Sequence, residues 1–279
     1  MVAPATADSD NDGGNVNYQD YESLQISRRD RVLTIALNRP EKLNAIDGVL
    51  HEELSRVFDE LNRDREIDVA VLTGTGRAFC AGGDADWLDT LIQDPLGWEK
   101  LSEENRRTMN GILECRQPVI AKLNGVAAGL GATLALFCDV IFASDKARIG
   151  DPHVKIGLVA GDGGSAIWPY LIGFARAREY LYTGEFIPAT RAADMGLINR
   201  CVPHDELDAT VDAFADQLAA GAIRAIQWTK QAVNAPLRAL VASNMELSLS
   251  LEAKSNLTHD HQEGINALRE KRPAKFIGR

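Results

Sequence analysis

The sequence predicts an α/β fold in which parallel strands are joined by crossover helices and a helical C-terminal region follows. Three observations carry this. From Arg31 to Asp145, short apolar strand segments alternate with helical stretches. Two glycine-rich turns, Phe79–Asp84 and Asn124–Ala135, each follow a buried strand. After about Gly173 the strand signals fade and amphipathic helices take over.

Taken in chain order, residues 1–20, "MVAPATADSDNDGGNVNYQD", are polar and acidic with almost nothing to bury, so a disordered tail is expected there. The core domain is expected over 21–203 and the C-terminal helical region over 204–279. "RVLTIALNRP" sets Leu33, Ile35 and Leu37 on one face of a strand that Pro40 stops. "DGVLHEELSRVFDELNRD" puts Leu50, Leu54, Val57, Phe58 and Leu61 on one helical stripe behind an Asp47 N-cap. "DVAVLTGTG" is a continuous apolar strand entering a glycine-rich turn, and "QPVIAKLNG" and "DVIFASD" repeat the pattern. Between these two, the small-residue segment Val126–Phe137 reads as a helix packed tightly on the sheet. "FARAREYLYTGEFIPATRAADMGLINRCVP" reads as two short helices around a turn at Thr183–Gly184. Amphipathic helices run from His204 to the end.

Composition bounds the function. The chain is 45% hydrophobic and 25% charged, as in ordinary globular proteins. A formal net charge of -10 argues against nucleic acid or an anionic membrane as partner. An anionic small molecule remains compatible, since a few lysines or backbone N–H groups suffice to bind phosphates. Cys80, Cys115, Cys138 and Cys201 form no CxxC pair and no metal-like spacing with histidine. Cys80 and Cys138 sit among small apolar residues, as buried free thiols do. No apolar run is long enough to span a membrane and no signal pattern opens the chain, so a cytoplasmic location is expected.

The two glycine-rich turns carry the chemistry. Each can present free backbone N–H groups, the second at a helix N-terminus where the dipole favours negative charge. Two such groups converging on one point make an oxyanion hole, suited to a thioester carbonyl as it becomes an enolate. Taken singly, each glycine is as well explained by close helix–sheet packing.

With their flanks, these segments resemble the crotonase (enoyl-CoA hydratase/isomerase) superfamily from about Tyr21 to Arg279. The resemblance rests on "NRPEKLNAI", "AFCAGGD", "NGVAAGLGATLALFCDVIFASDKARIG", "GLVAGDGG", "TGEFIPATRAADMGLINRCV" and "EGINALREKRPAKFIGR". It implies a spiral of ββα units with a C-terminal helical trimerisation region, in a homotrimer or dimer of trimers. It puts the oxyanion-hole N–H groups on Gly83 and Leu130, and coenzyme A against Lys42, Ala45, Ala81, Asp84, Ala85 and Lys275. Coenzyme A then enters as part of the substrate, and no metal or other cofactor is implied.

The sequence departs from the family where two glutamates normally act on water. Thr133 holds the first position, and a hydroxyl cannot serve as a base at neutral pH. His153 holds the second and can exchange a proton near pH 7. Asp162 stands where a small residue is usual, and a carboxylate beside an imidazole would fix its tautomer. "PH…GDG…WP" resembles the 6-oxocamphor hydrolase branch, which cleaves a C–C bond of a β-diketone without coenzyme A. Three readings follow. The first is an acyl-CoA enzyme with His153 and Asp162 catalytic, performing isomerisation, hydration or C–C cleavage. The others are a CoA-independent β-diketone hydrolase and a non-catalytic acyl-CoA-binding protein. His51, His204, His259 and His261 are expected on exposed helices or loops, without a role.

Overall fold

The computed structural model describes Val16 and residues 18–279. The rest of the expected tail lies outside the described residues. At its described end the tail is tied down, because the Tyr18 hydroxyl donates to Asp64 Oδ2 at 3.2 Å and its ring packs on the core. Ordered structure therefore begins before Tyr21.

The chain opens with an antiparallel hairpin, β1 (Leu24–Arg29) and β2 (Val32–Leu37). Next come α1 (Gly48–Arg63), β3 (Val69–Gly74), β4 (Ala78–Cys80), α2 (Ala85–Ile92), α3 (Pro95–Glu114), β5 (Val119–Leu123) and β6 (Val126–Ala128). They are followed by α4 (Leu130–Phe137), β7 (Val140–Ser144), β8 (Arg148–Gly150), α5 (Gly164–Thr183), β9 (Ile187–Pro188), α6 (Ala189–Asp194) and β10 (Arg200–Val202). Three helices close the chain: α7 (Leu207–Ala219), α8 (Ile223–Asn256) and α9 (His259–Glu270).

Among the described residues these strands form two sheets, ordered β1-β2-β3-β5-β7-β10 and β4-β6-β8-β9. Each turn of the chain leaves one strand in each: β3 then β4, β5 then β6, β7 then β8. This is the ββα spiral that the resemblance implies. Apart from β1 and β9, the strands pair in parallel.

Side-chain alternation explains how the large sheet buries both faces. Leu33, Ile35, Leu37, Ala70 and Leu72 face a core shared with Leu50, Leu54, Val57, Phe58 and Leu61 of α1. Val32, Val69, Val71, Ile120 and Phe142 face the other way, onto Leu207, Val211 and Ala215 of α7. The predicted α1 stripe is thus observed, and Asp47 caps it by accepting the Leu50 N–H at 3.0 Å. Because α7 covers the sheet, the expected boundary after residue 203 separates the sheet from its own helical layer.

Tertiary pairing overrode local pattern at two places. Val126–Ala128, expected as helix, is strand β6, held between β4 and β8, and the helix starts only at Leu130. Small residues permit this: a Cβ on Gly131 would sit 2.5 Å from Cys80 Cβ, so α4 lies directly on β4. After Gly173 two strands persist, and β10 extends the large sheet beside β7. Of the two short helices expected there, the first is the longer α5, broken at Gly173 (φ 77°, ψ 158°).

The long helix α8 is fastened from within. Lys230, almost fully buried, donates to the Ile112 and Gln117 carbonyls at 2.9 Å each and pairs with Asp139 at 2.9 Å. All four cysteines are free thiols, with Cys80, Cys115 and Cys138 buried. Among the described residues no helix is long and apolar enough to cross a membrane.

Candidate active site

The site grows from three junctions between strand and helix. At the first, Asn44 is fully buried and its amide donates to the Thr75 and Ala78 carbonyls at 2.9 Å. This locks the "NRPEKLNAI" loop against β3 and β4. The loop then pairs with the glycine turn: Ile46 N–H donates to Gly82 O and Asp84 N–H to Ile46 O, both at 2.8 Å. That parallel pairing leaves the Gly83 N–H unused among the described residues. At the second junction Leu130 opens α4, where the first amides have no intrahelical acceptor. At the third, a short turn following β8 carries His153.

These junctions meet at one cavity of about 390 Å³. Gly83, Leu130, His153, Asp162 and Ala81, all predicted from the sequence, line it, as does Glu252 of α8. Its remaining wall is largely apolar, with Trp87, Leu88, Trp98, Leu101, Leu158 and Phe186.

His153 sits against the second glycine turn. A Cβ on Gly129 would come within 3.3 Å of its Cε1 and 3.5 Å of its Nε2, and Gly129 has φ +51°. Only glycine meets both demands without strain. The imidazole is oriented by Asp151, whose Oδ1 lies 2.5 Å from Nδ1. On the other side, Nε2 faces Asp162 Oδ2 at 3.7 Å and Glu252 Oε1 at 4.0 Å.

Asp162 is itself held in place. Its Oδ1 accepts from the Thr133 hydroxyl at 3.0 Å and the Gly164 N–H at 3.1 Å, while Asn105 donates to its carbonyl at 2.8 Å. Its Oδ2 is buried without a hydrogen-bond partner, as is Glu252 Oε2. Thr133 therefore positions Asp162, rather than water as its place in the family suggests.

The electrostatics follow from four ionisable groups sharing a largely buried space. Burial alone depresses the His153 imidazole, but the charges of Asp151 and Asp162, the Asp151 hydrogen bond and Glu252 outweigh it, raising His153 from 6.5 to about 10. Burial raises Asp162 against the opposing pull of His153. Glu252 is raised well above the usual carboxylate range, again mainly by burial. The cluster thus holds an imidazolium at neutral pH, and burial disfavours the charged form of Glu252 beside it. Asp151, His153 and Asp162 offer ligand atoms within 4.8 Å of one another, the spread of a metal site. The 2.5 Å between Asp151 Oδ1 and His153 Nδ1 is a hydrogen-bond separation, however, and leaves no room for an ion between them.

The residues expected to hold coenzyme A are only partly gathered. Ala81 lines the cavity, and Ala45, Asp84 and Ala85 lie on the paired loops beside it. Asp84 caps α2 by accepting the Asp86 N–H at 3.0 Å. Lys42 is half-exposed, with Nζ 3.9 Å from Asp84 and 3.8 Å from Asp86. Lys275 is exposed and follows Ala274, which lines the cavity.

Two histidines differ from expectation. His51 and His261 are buried, not exposed: His51 Nδ1 meets Glu104 Oε2 at 2.7 Å, and His261 Nδ1 meets the Ile156 carbonyl at 2.7 Å. Glu252 escaped sequence reading altogether. In the structure it falls on the stripe Met245, Leu249, Glu252, Asn256, whose members are buried. A carboxylate on a buried stripe is uncommon, and its burial is what marks Glu252.

Comparison with known proteins identifies the family and fold. Residues 27–279 match the enoyl-CoA hydratase/isomerase family. A probable enoyl-CoA hydratase of Rhizobium meliloti is 34% identical over 92% of this chain and 98% of its own. The crystal structure of an enoyl-CoA hydratase/isomerase from Mycobacterium paratuberculosis superposes with a TM-score of 0.86 at 35% identity, covering 88% of this chain and 99% of the other. A β-diketone hydrolase from the cyanobacterium Anabaena, bound to (S)-3-oxocyclohexyl acetic acid, gives 0.80 at 29% identity, covering 85% and 95%. A spiral of two sheets, paired glycine turns at one cavity and a match over nearly the whole chain lead to one statement: this protein belongs to the enoyl-CoA hydratase/isomerase family.

Proposed function

We propose that this enzyme acts on an acyl-CoA thioester through an enolate whose oxygen rests on the Gly83 and Leu130 N–H groups, with His153, Asp162 and Glu252 moving the protons. The observation that carries this reading is the arrangement about His153 Nε2. Asp162 Oδ2 lies 3.7 Å away and Glu252 Oε1 4.0 Å away, beside the Gly129–Leu130 turn. Since His153 is charged at neutral pH, it acts as proton donor, and Asp162, made more basic by burial, is the acceptor. Isomerisation needs one such shuttle. Hydration and hydrolytic C–C cleavage need a second group as well, and Glu252 supplies it.

In this reading Lys42, Ala45, Ala81, Asp84, Ala85 and Lys275 hold coenzyme A, which enters with the substrate. The subunits form a trimer or a dimer of trimers in the cytoplasm. Exposed Trp228, Val233, Leu247 and Leu251 along α8 support such association, as they leave apolar surface for another subunit.

The test is loss of the ultraviolet absorbance of crotonyl-CoA. Turnover by wild type that His153→Ala abolishes supports hydration through this cluster. Binding of coenzyme A without turnover redirects the reaction to β,γ-enoyl or β-keto thioesters. Equal behaviour of wild type and His153→Ala on all of these refutes a catalytic His153.

A second reading is favoured by the His153–Asp162–Glu252 grouping and by likeness to the Anabaena β-diketone hydrolase. Here the substrate is a β-diketone and coenzyme A is not used. Lys42, drawn toward two carboxylates, fits this reading too. Release of a keto acid from a cyclic β-diketone, unchanged in Lys42→Ala, would establish it.

A further inference from the structure

A second ionisable pair, His51 and Glu104, meets the same cavity through His51, and the proton-transfer cluster makes no use of it. His51 lies on the buried face of α1, beside Leu50 and Leu54, and is 2% exposed. A leucine there would bury as readily and would need no partner. Instead Nδ1 is bound to Glu104 Oε2 at 2.7 Å, and Lys100 approaches Glu104 Oε1 at 3.4 Å. Trp87 flanks the imidazole, with ring centroids 5.4 Å apart.

With Nδ1 engaged, the His51 ring meets the cavity as one of its lining residues. Its Nε2 makes no hydrogen bond among the described residues, and it is absent from the fully buried polar atoms without partners. It therefore keeps accessible surface, and the cavity is what the ring borders. Two further lining residues hold unused polar capacity. Trp98 Nε1 and Asn105 Oδ1 are both buried without a partner. In a wall otherwise made of Leu88, Leu101 and Leu158, a purely hydrocarbon ligand would leave His51 Nε2 desolvated and unpaired, which is costly.

We propose that the cavity takes a group bearing a neutral oxygen function, a ketone or a hydroxyl, beyond the reacting carbonyl, and that His51, steadied by Glu104, binds that oxygen. Glu104 disfavours a carboxylate at this place; of the two cationic lining residues, Arg272 is already paired with Glu263 and Glu270, and the Lys155 stem lies against Gly184. The inference deepens the acyl-CoA reading, on which the group is the acyl chain, and names its substrate class.

Calorimetric binding of two matched thioethers, S-hexyl-CoA and S-(5-oxohexyl)-CoA, tests it, run beside the same pair built on N-acetylcysteamine in place of coenzyme A. Wild type should bind the oxo compound at least tenfold more tightly than the alkyl one. His51→Leu/Glu104→Leu, which removes the pair together and leaves no lone buried charge, should erase that ratio while keeping or improving alkyl affinity. His51→Gln, which retains a hydrogen-bonding side chain, should restore part of it. Equal binding of both compounds by wild type overturns the inference, and so does an unchanged ratio in the double variant. Equal affinity for the CoA and N-acetylcysteamine compounds refutes the acyl-CoA reading alone, since the oxo-to-alkyl ratio is read within each pair. Binding of none of the four overturns both.

Discussion

His153 should make the folded chain lose stability as the solution turns mildly alkaline. Its pKa is raised from 6.5 to about 10, so the folded state keeps this proton over a range in which the unfolded chain has released it. The stabilisation is complete below about pH 6.5 and is lost as pH rises through 10. With one extra proton on the folded state, stability falls by about 1.4 kcal/mol per pH unit. Between pH 7 and 8.5 that amounts to roughly 2 kcal/mol, a sizeable part of the 5–15 kcal/mol typical of a folded domain. Glu252, raised by burial, acts in the same direction. The window stops near 8.5 because cysteines of the unfolded chain titrate beyond it. The assay is urea unfolding followed by tryptophan fluorescence at fixed protein concentration and ionic strength. His153→Gln should lower the slope by about one proton. A wild-type stability that is flat over this window, or a slope that His153→Gln leaves unchanged, would refute the charged-imidazole description.

Further outcomes are expected from single substitutions. Thr133→Val removes the hydroxyl that fixes Asp162 and should lower kcat by about tenfold with little change in KM, read by steady-state kinetics. Gly129→Ala combines a positive φ with contact against His153, so it should cost about 1–3 kcal/mol in urea unfolding and depress kcat more than KM. Glu252→Gln should keep or raise stability near pH 8, because a neutral amide replaces a buried acid, while slowing turnover. Lys230→Met strands Asp139 beside an apolar side chain and should lower stability by about 3–5 kcal/mol.

Much of the fold could be read from the residues because its signals are local and periodic. The α1 stripe, the Asp47 cap and the alternation in β2 all belong to this kind. Legibility failed where pairing between distant segments decided the outcome. Val126–Ala128 looks helical alone, yet it completes a sheet between β4 and β8. In the site, the glycine turns, His153 and Asp162 stood out by residue type and order. Asp151 and Glu252 did not, because acidic residues are abundant in this chain and only burial sets these two apart. His51 was misplaced for a similar reason: its carboxylate partner is 53 positions away.

Glu252 reaches the cavity from α8, near the end of the chain, while Gly83, Leu130, His153 and Asp162 come from its first two-thirds. During synthesis, the sheets and both glycine turns can therefore assemble while the proton-transfer group from α8 is still within or near the ribosome. The nascent core would carry a vestibule without its full chemistry. Gly161 makes room for α8, for a Cβ there would meet Glu252 Cβ at 2.5 Å, and the Ser248 hydroxyl donates to the Gly161 carbonyl at 2.9 Å. The loop that carries Asp162 is thus shaped as a berth for a helix that emerges after it, and chemical competence waits for α8 to dock.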